Sequence, residues 1–183
     1  MSVVVRELRP EDREAWDPLW AGYLVKVFSW RLTFAQGGPL EWLLGPLGLS
    51  GPGYGTTALV ITLAYLWFPY MAVPVYTAFR TIPDNLFEAS ADLGAKAWRT
   101  VFSVALPLLK PALIAGSIFT FSLSLGDYIA AQFVGGKTQV IGTVIASNIN
   151  LNPPLAAAFA TVPIVVVVLY LFLARKSGAL KHF

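Results

Sequence analysis

Three stretches of this chain are so long and so apolar that they dictate its solvent. Residues 57–79, 111–134 and 155–174 each approach or exceed the roughly 20 apolar residues that cross a bilayer. One such stretch could be a buried core helix, but three in 183 residues leave too little polar surface to wrap them. The composition agrees: 56% of residues are hydrophobic, only 13% are charged, and mean hydropathy is +0.65. That charge share is about half of what a soluble domain carries. An all-α integral membrane chain with about three transmembrane helices is therefore expected. Pro69 and Pro74 in the first span and Pro163 in the third are expected to kink it, because each removes a backbone donor.

Several chemistries are excluded at once. There is no cysteine, and His182 is the single histidine, so neither thiolate nor His-cluster metal sites can form. No Gly-rich Lys-Ser/Thr phosphate loop occurs, so ATP cannot be bound by that route. No cofactor site and no nucleic-acid partner are expected, and the charged N-terminus lacks the apolar core of a signal peptide.

The polar insert between the first two spans is the most specific feature. It reads Glu88-Ala89-Ser90-Ala91-Asp92-Leu93-Gly94, then nine residues, then Val104-Ala105-Leu106-Pro107. Pro83 and Asp84 suit a helix start, and Gly94 allows the left-handed turn that ends it. Two short helices over 83–104, broken near Gly94, are expected, with Leu86, Ala89 and Leu93 on a modest apolar face. The insert resembles the EAA loop of ABC-importer permeases: Glu-Ala-Ala, three residues, Gly, nine residues, Ile, any residue, Leu-Pro. Ser90 stands for the second Ala and Val104 for Ile. The resemblance implies a type I importer permease-like (MetI-like) helical bundle and a coupling loop over 81–110. In that loop Glu88, Ala89, Asp92, Gly94, Leu106 and Pro107 would contact a separate ABC ATPase subunit. It further implies a second permease subunit, an extracytoplasmic solute-binding protein and a lipid membrane as partners.

Flanking charge sets the expected orientation. Arg80, Lys96, Arg99 and Lys110 surround the loop, Arg175, Lys176 and Lys181 follow the third span, and only Lys137 lies in the 135–154 loop. Basic residues accumulate on the cytoplasmic side. The EAA-like loop and the C-terminus are thus expected in the cytoplasm, and the permease resemblance implies a multi-pass protein of the cell (inner) membrane.

On the second span Ser117, Thr120, Ser124, Asp127 and Tyr128 fall in one stripe at helical spacing. Such a stripe faces protein or a water-filled path, which makes these residues candidates for lining a translocation route; the alternative is an interfacial, hydrated Asp127. Leu125-Gly126-Asp127-Tyr128, Gly135-Gly136-Lys137 and Ile141-Gly142 resemble the series of spermidine/putrescine-type permeases, which implies a polyamine or related organic cation as solute.

The N-terminal third fits less simply. Lys26-Val27-Phe28-Ser29-Trp30, Gly38-Pro39-Leu40 and Leu47-Gly48-Leu49 resemble the outer loop of the same permeases, with a short interfacial helix near 41–47. Those permeases usually have about six spans, so residues 25–183 would be a partial transmembrane domain unable to transport alone. Residues 1–24 are expected to form a separate segment. Val4-Val5-Arg6 through Tyr23 resemble the opening strand and helix of GNAT acetyltransferases, without the acetyl-CoA loop that would make an enzyme. Two alternatives accompany the permease reading: a non-transporting membrane fragment and a GNAT-related acetyltransferase.

Overall fold

A computed structural model describes residues 10–176 of the chain. Every regular element among the described residues is helical. Helix α1 covers Pro10–Phe34. Helix α2, Pro39–Leu44, passes into a 3₁₀ turn at Gly45–Leu47. Three helices are long and apolar enough to cross a membrane: α3 at Thr56–Phe79, the continuous helix Ala97–Gly126, and α9, Pro153–Lys176, over its first twenty residues. Between them lie α4 (Asp84–Asp92), α7 (Tyr128–Val134) and α8 (Ile141–Asn148).

The expected spans thus exist, and α3 and α9 continue through their internal prolines. Hydroxyl groups inside the spans bond to the preceding helical turn. Thr62 donates to the Ala58 carbonyl at 2.8 Å and Thr161 to Ala158 at 2.7 Å. These bonds remove the cost of a bare polar group in hydrocarbon.

Two expectations are corrected. The second span does not run over 111–134: it ends at Gly126, and Asp127 (φ −81°, ψ 85°) breaks it before α7 begins. Nor does the second arm of the polar loop form a separate short helix. Ala97–Thr100 (α5) continues through a π turn at Val101–Ala105 into α6, Leu106–Gly126. The reason is local. Pro107 offers no N–H to the helix and its ring crowds the preceding turn. The wider π turn, in which the Leu106 N–H bonds to the Val101 carbonyl, takes up that misfit so the helix need not stop.

The chain divides into two units. The first joins residues up to Thr62 with 130–138, and its core is Val27, Phe34, Ala58, Leu59, Thr62, Ala130, Ala131 and Val134. Phe133 packs against Phe28 with the rings tilted by 53° and 4.8 Å between centroids, and the Arg31 guanidinium lies 5.4 Å from the Phe133 ring centre. Helix α1 is continuous through Lys26 and Arg31 and across residues 24 and 25. The strand expected near Val4 lies outside the described residues. Helix α2 turns Trp42, Leu43 and the following Leu47 outward, an uncharged face suited to a membrane interface.

The second unit holds, of the described residues, 63–129 and 139–176. Among its glycines, Gly116 of α6 is the most closely approached. A Cβ there would sit 2.7 Å from Met71 Sδ and 3.3 Å from both Met71 Cα and Pro74 Cγ of α3. Tyr128 packs similarly on Gly142 of α8, where an added Cβ would be 3.0 Å from the tyrosine Cβ.

Candidate functional site

Two sites in the second unit carry the residues singled out from the sequence. The first is the loop between α3 and α6. The first turn of α4 bears Asp84, an acid near the positive end of the helix dipole. The helix ends in a full Schellman arrangement. The Gly94 N–H bonds to the Ala91 carbonyl at 2.8 Å and the Ala95 N–H to the Ser90 carbonyl at 3.1 Å. Gly94 is at φ +72°, the left-handed conformation that the spacing called for.

Glu88, Ala89, Asp92, Gly94, Leu106 and Pro107 are all exposed. Leu86 and Leu93 are exposed too, Leu93 by 88%. Sequence reasoning missed that the apolar surface continues onto the second arm, where Trp98, Val101 and Phe102 are exposed. Their i, i+3, i+4 spacing was the available signal. Ser90 is the exception on α4: it is buried, and its hydroxyl lies 2.7 Å from that of Thr100.

The second site is a recess of about 310 Å³ between α6 and α9, lined by Ser117, Thr120, Phe121, Ser124 and Tyr170. Three residues of the expected stripe meet there. Asp127 and Tyr128 do not join them, because the helix that would have kept them in phase has ended. Asp127 is buried at the break, its N–H 3.4 Å from the Ser124 carbonyl. Phe121 and Tyr170 were not singled out in advance. Tyr170 had a signal, a lone phenol in an otherwise aliphatic run from Ile164 to Leu171, whereas its partner on α6 required the tertiary structure.

The hydrogen bonds give this recess a chemical polarity. Ser117 donates to the Ile114 carbonyl at 2.8 Å, which uses its single proton. With the Ser117 proton on Ile114, the tyrosine is the donor in the 2.6 Å contact between the Ser117 and Tyr170 hydroxyls. Thr120 gives its proton to the backbone as well, at 3.1 Å to Gly116 and 3.2 Å to Ser117. What these groups offer a solute is mainly oxygen lone pairs, beside the rings of Phe121 and Tyr170 set 5.4 Å apart. Hydroxyl acceptors and aromatic faces suit a donor-rich cation better than an anion.

Comparison with known proteins places this geometry. Residues 19–177 match the family described as "Binding-protein-dependent transport system inner membrane component". The "Inner membrane ABC transporter permease protein YdcU" of Escherichia coli K12 is 41% identical, across 88% of this chain and 57% of that protein. The "Spermidine/putrescine transport system permease protein PotB" of Haemophilus influenzae is 31% identical, across 90% of this chain and 60% of its own length. The protein of the same name from E. coli K12 is 29% identical, across 90% and 62%. The chain thus spans about three fifths of the length of these relatives, which are named as transport permeases and not as enzymes.

Proposed function

Because the chain belongs to the family of binding-protein-dependent transport system inner membrane components, we propose that it forms part of the membrane path of an ABC importer and is driven through its 83–107 loop by a separate ATPase. The observation that carries this reading is the loop itself. The Glu88-to-Gly94 pattern is built as an exposed helix ended by a left-handed glycine, at the foot of a helix that crosses the membrane without interruption. A displacement applied at α4 therefore has a rigid body to act on.

In this proposal the loop and the C-terminal end of α9 face the cytoplasm, supported by the basic residues Arg80, Lys96, Arg99, Lys110, Arg175 and Lys176. A second permease subunit completes the path, and an extracytoplasmic solute-binding protein delivers the solute. Ser117, Thr120, Ser124 and Tyr170 line part of the route, with Asp127 and Tyr128 beyond the break. Their acceptor character supports a polyamine or related organic cation, as do the spermidine/putrescine permeases among the relatives.

The test uses the absence of native cysteine. With Leu93→Cys introduced and the ATPase subunit co-expressed in membranes, a short thiol-to-amine cross-linker should join the new thiol to a lysine of the ATPase, and added nucleotide should change the yield. Leu49→Cys, on the first unit, should give no such product. Equal labelling at both positions, or none at Leu93→Cys, would overturn the docking reading.

A further inference from the structure

Two stiff bodies meet in the loop, and only four residues of backbone, 93–96 with Gly94 at φ +72°, link them. One is α4, which carries the exposed Glu88, Ala89 and Asp92. The other is the continuous helix Ala97–Gly126. A glycine turn has soft torsions, so on its own it would absorb a push on α4 instead of passing it on. A brace crosses this turn. Ser90 Oγ and Thr100 Oγ1 are 2.7 Å apart, joining the last turn of α4 to the first turn of the long helix. Ser90 is only 8% exposed among exposed neighbours, so its hydroxyl is shielded from competing water. It also occupies the position where the resembled pattern has alanine, which cannot make this bond.

We propose that the Ser90–Thr100 hydroxyl pair is a positioning joint that makes α4 and the continuous helix Ala97–Gly126 move as one body, so that force received at the loop reaches the membrane path. The joint rests on the ATPase-docking reading above. It predicts a separation that a merely stabilising contact would not produce: loss of the pair should spare docking and lower the work extracted from it.

The experiment uses the full chain in membranes, assembled with its ATPase and the rest of its transporter. It reads two quantities, the Leu93→Cys cross-link to the ATPase and the solute moved per ATP hydrolysed. Ser90→Ala and Thr100→Val should each leave the cross-link yield unchanged and lower transport per ATP about fivefold. The double variant should be no worse than either single one, since both remove the same bond. In a separate background without Leu93→Cys, Ser90→Cys with Thr100→Cys offers the sole cysteine pair. Its oxidation should return transport per ATP to within about twofold of the parent, and reduction should remove that gain. Unchanged coupling in both single variants, or a disulfide that halts transport, would overturn the joint. An absent Leu93→Cys cross-link in the parent chain would instead remove the docking reading, and the joint with it.

Discussion

Two glycine turns in this molecule look alike in sequence and are held in opposite ways. Gly94 and Gly136 both adopt positive φ, +72° and +59°. Around Gly94 nothing lies within 4 Å of where a Cβ would be, and the turn is closed by hydrogen bonds to α4 a few residues away. Around Gly136 the same atom would meet the Tyr54 carbonyl oxygen at 3.0 Å and its carbon at 3.1 Å. That turn has a local bond, from the Thr138 N–H to the Gly135 carbonyl at 2.9 Å, and in addition is held by segments about 80 residues distant. The Gly55 N–H bonds to the Val134 carbonyl at 3.0 Å, and the hydroxyls of Thr56 and Thr138 meet at 2.9 Å. One turn is defined by its own dihedrals and stays exposed. The other is defined by what the fold presses against it.

The strongest way to break this contrast is Gly136→Val, which combines a disallowed φ with backbone overlap. It should cost about 3 kcal/mol or more and appear as a large loss of thermal stability in detergent. A shift no larger than that of Gly94→Val would erase the distinction. Gly94→Val should come next, at about 1–2 kcal/mol, because only the dihedral is strained. Membrane insertion should survive while transport per ATP falls, and Gly94→Asn should recover much of the loss, since Asn tolerates this conformation. The smallest effect sharpens the recess between α6 and α9. Tyr170→Phe keeps the ring against Phe121 but removes the 2.6 Å bond to Ser117. It should cost about 1 kcal/mol, while changing the KM for an organic-cation solute more than for an uncharged one. Identical KM shifts for both solutes would remove the recess from the solute path.

The sequence by itself determined the features whose causes are local. Three apolar runs had to become membrane-crossing helices because hydrocarbon leaves the backbone no other way to satisfy its polar groups. The Glu-Ala-Ser, Gly, Leu-Pro spacing likewise located the α4 turn and its left-handed Gly94. Only the tertiary structure decided where those helices stop and which side chains meet. It cut the expected polar stripe at Asp127, so that Ser117, Thr120 and Ser124 find Tyr170 instead of Tyr128. It brought Ser90 to Thr100 across the glycine turn and Tyr54 onto Gly136. Periodicity reports the face of one helix; it holds no record of the neighbour that will pack there, because that contact is set by the approach of backbones far apart in the chain.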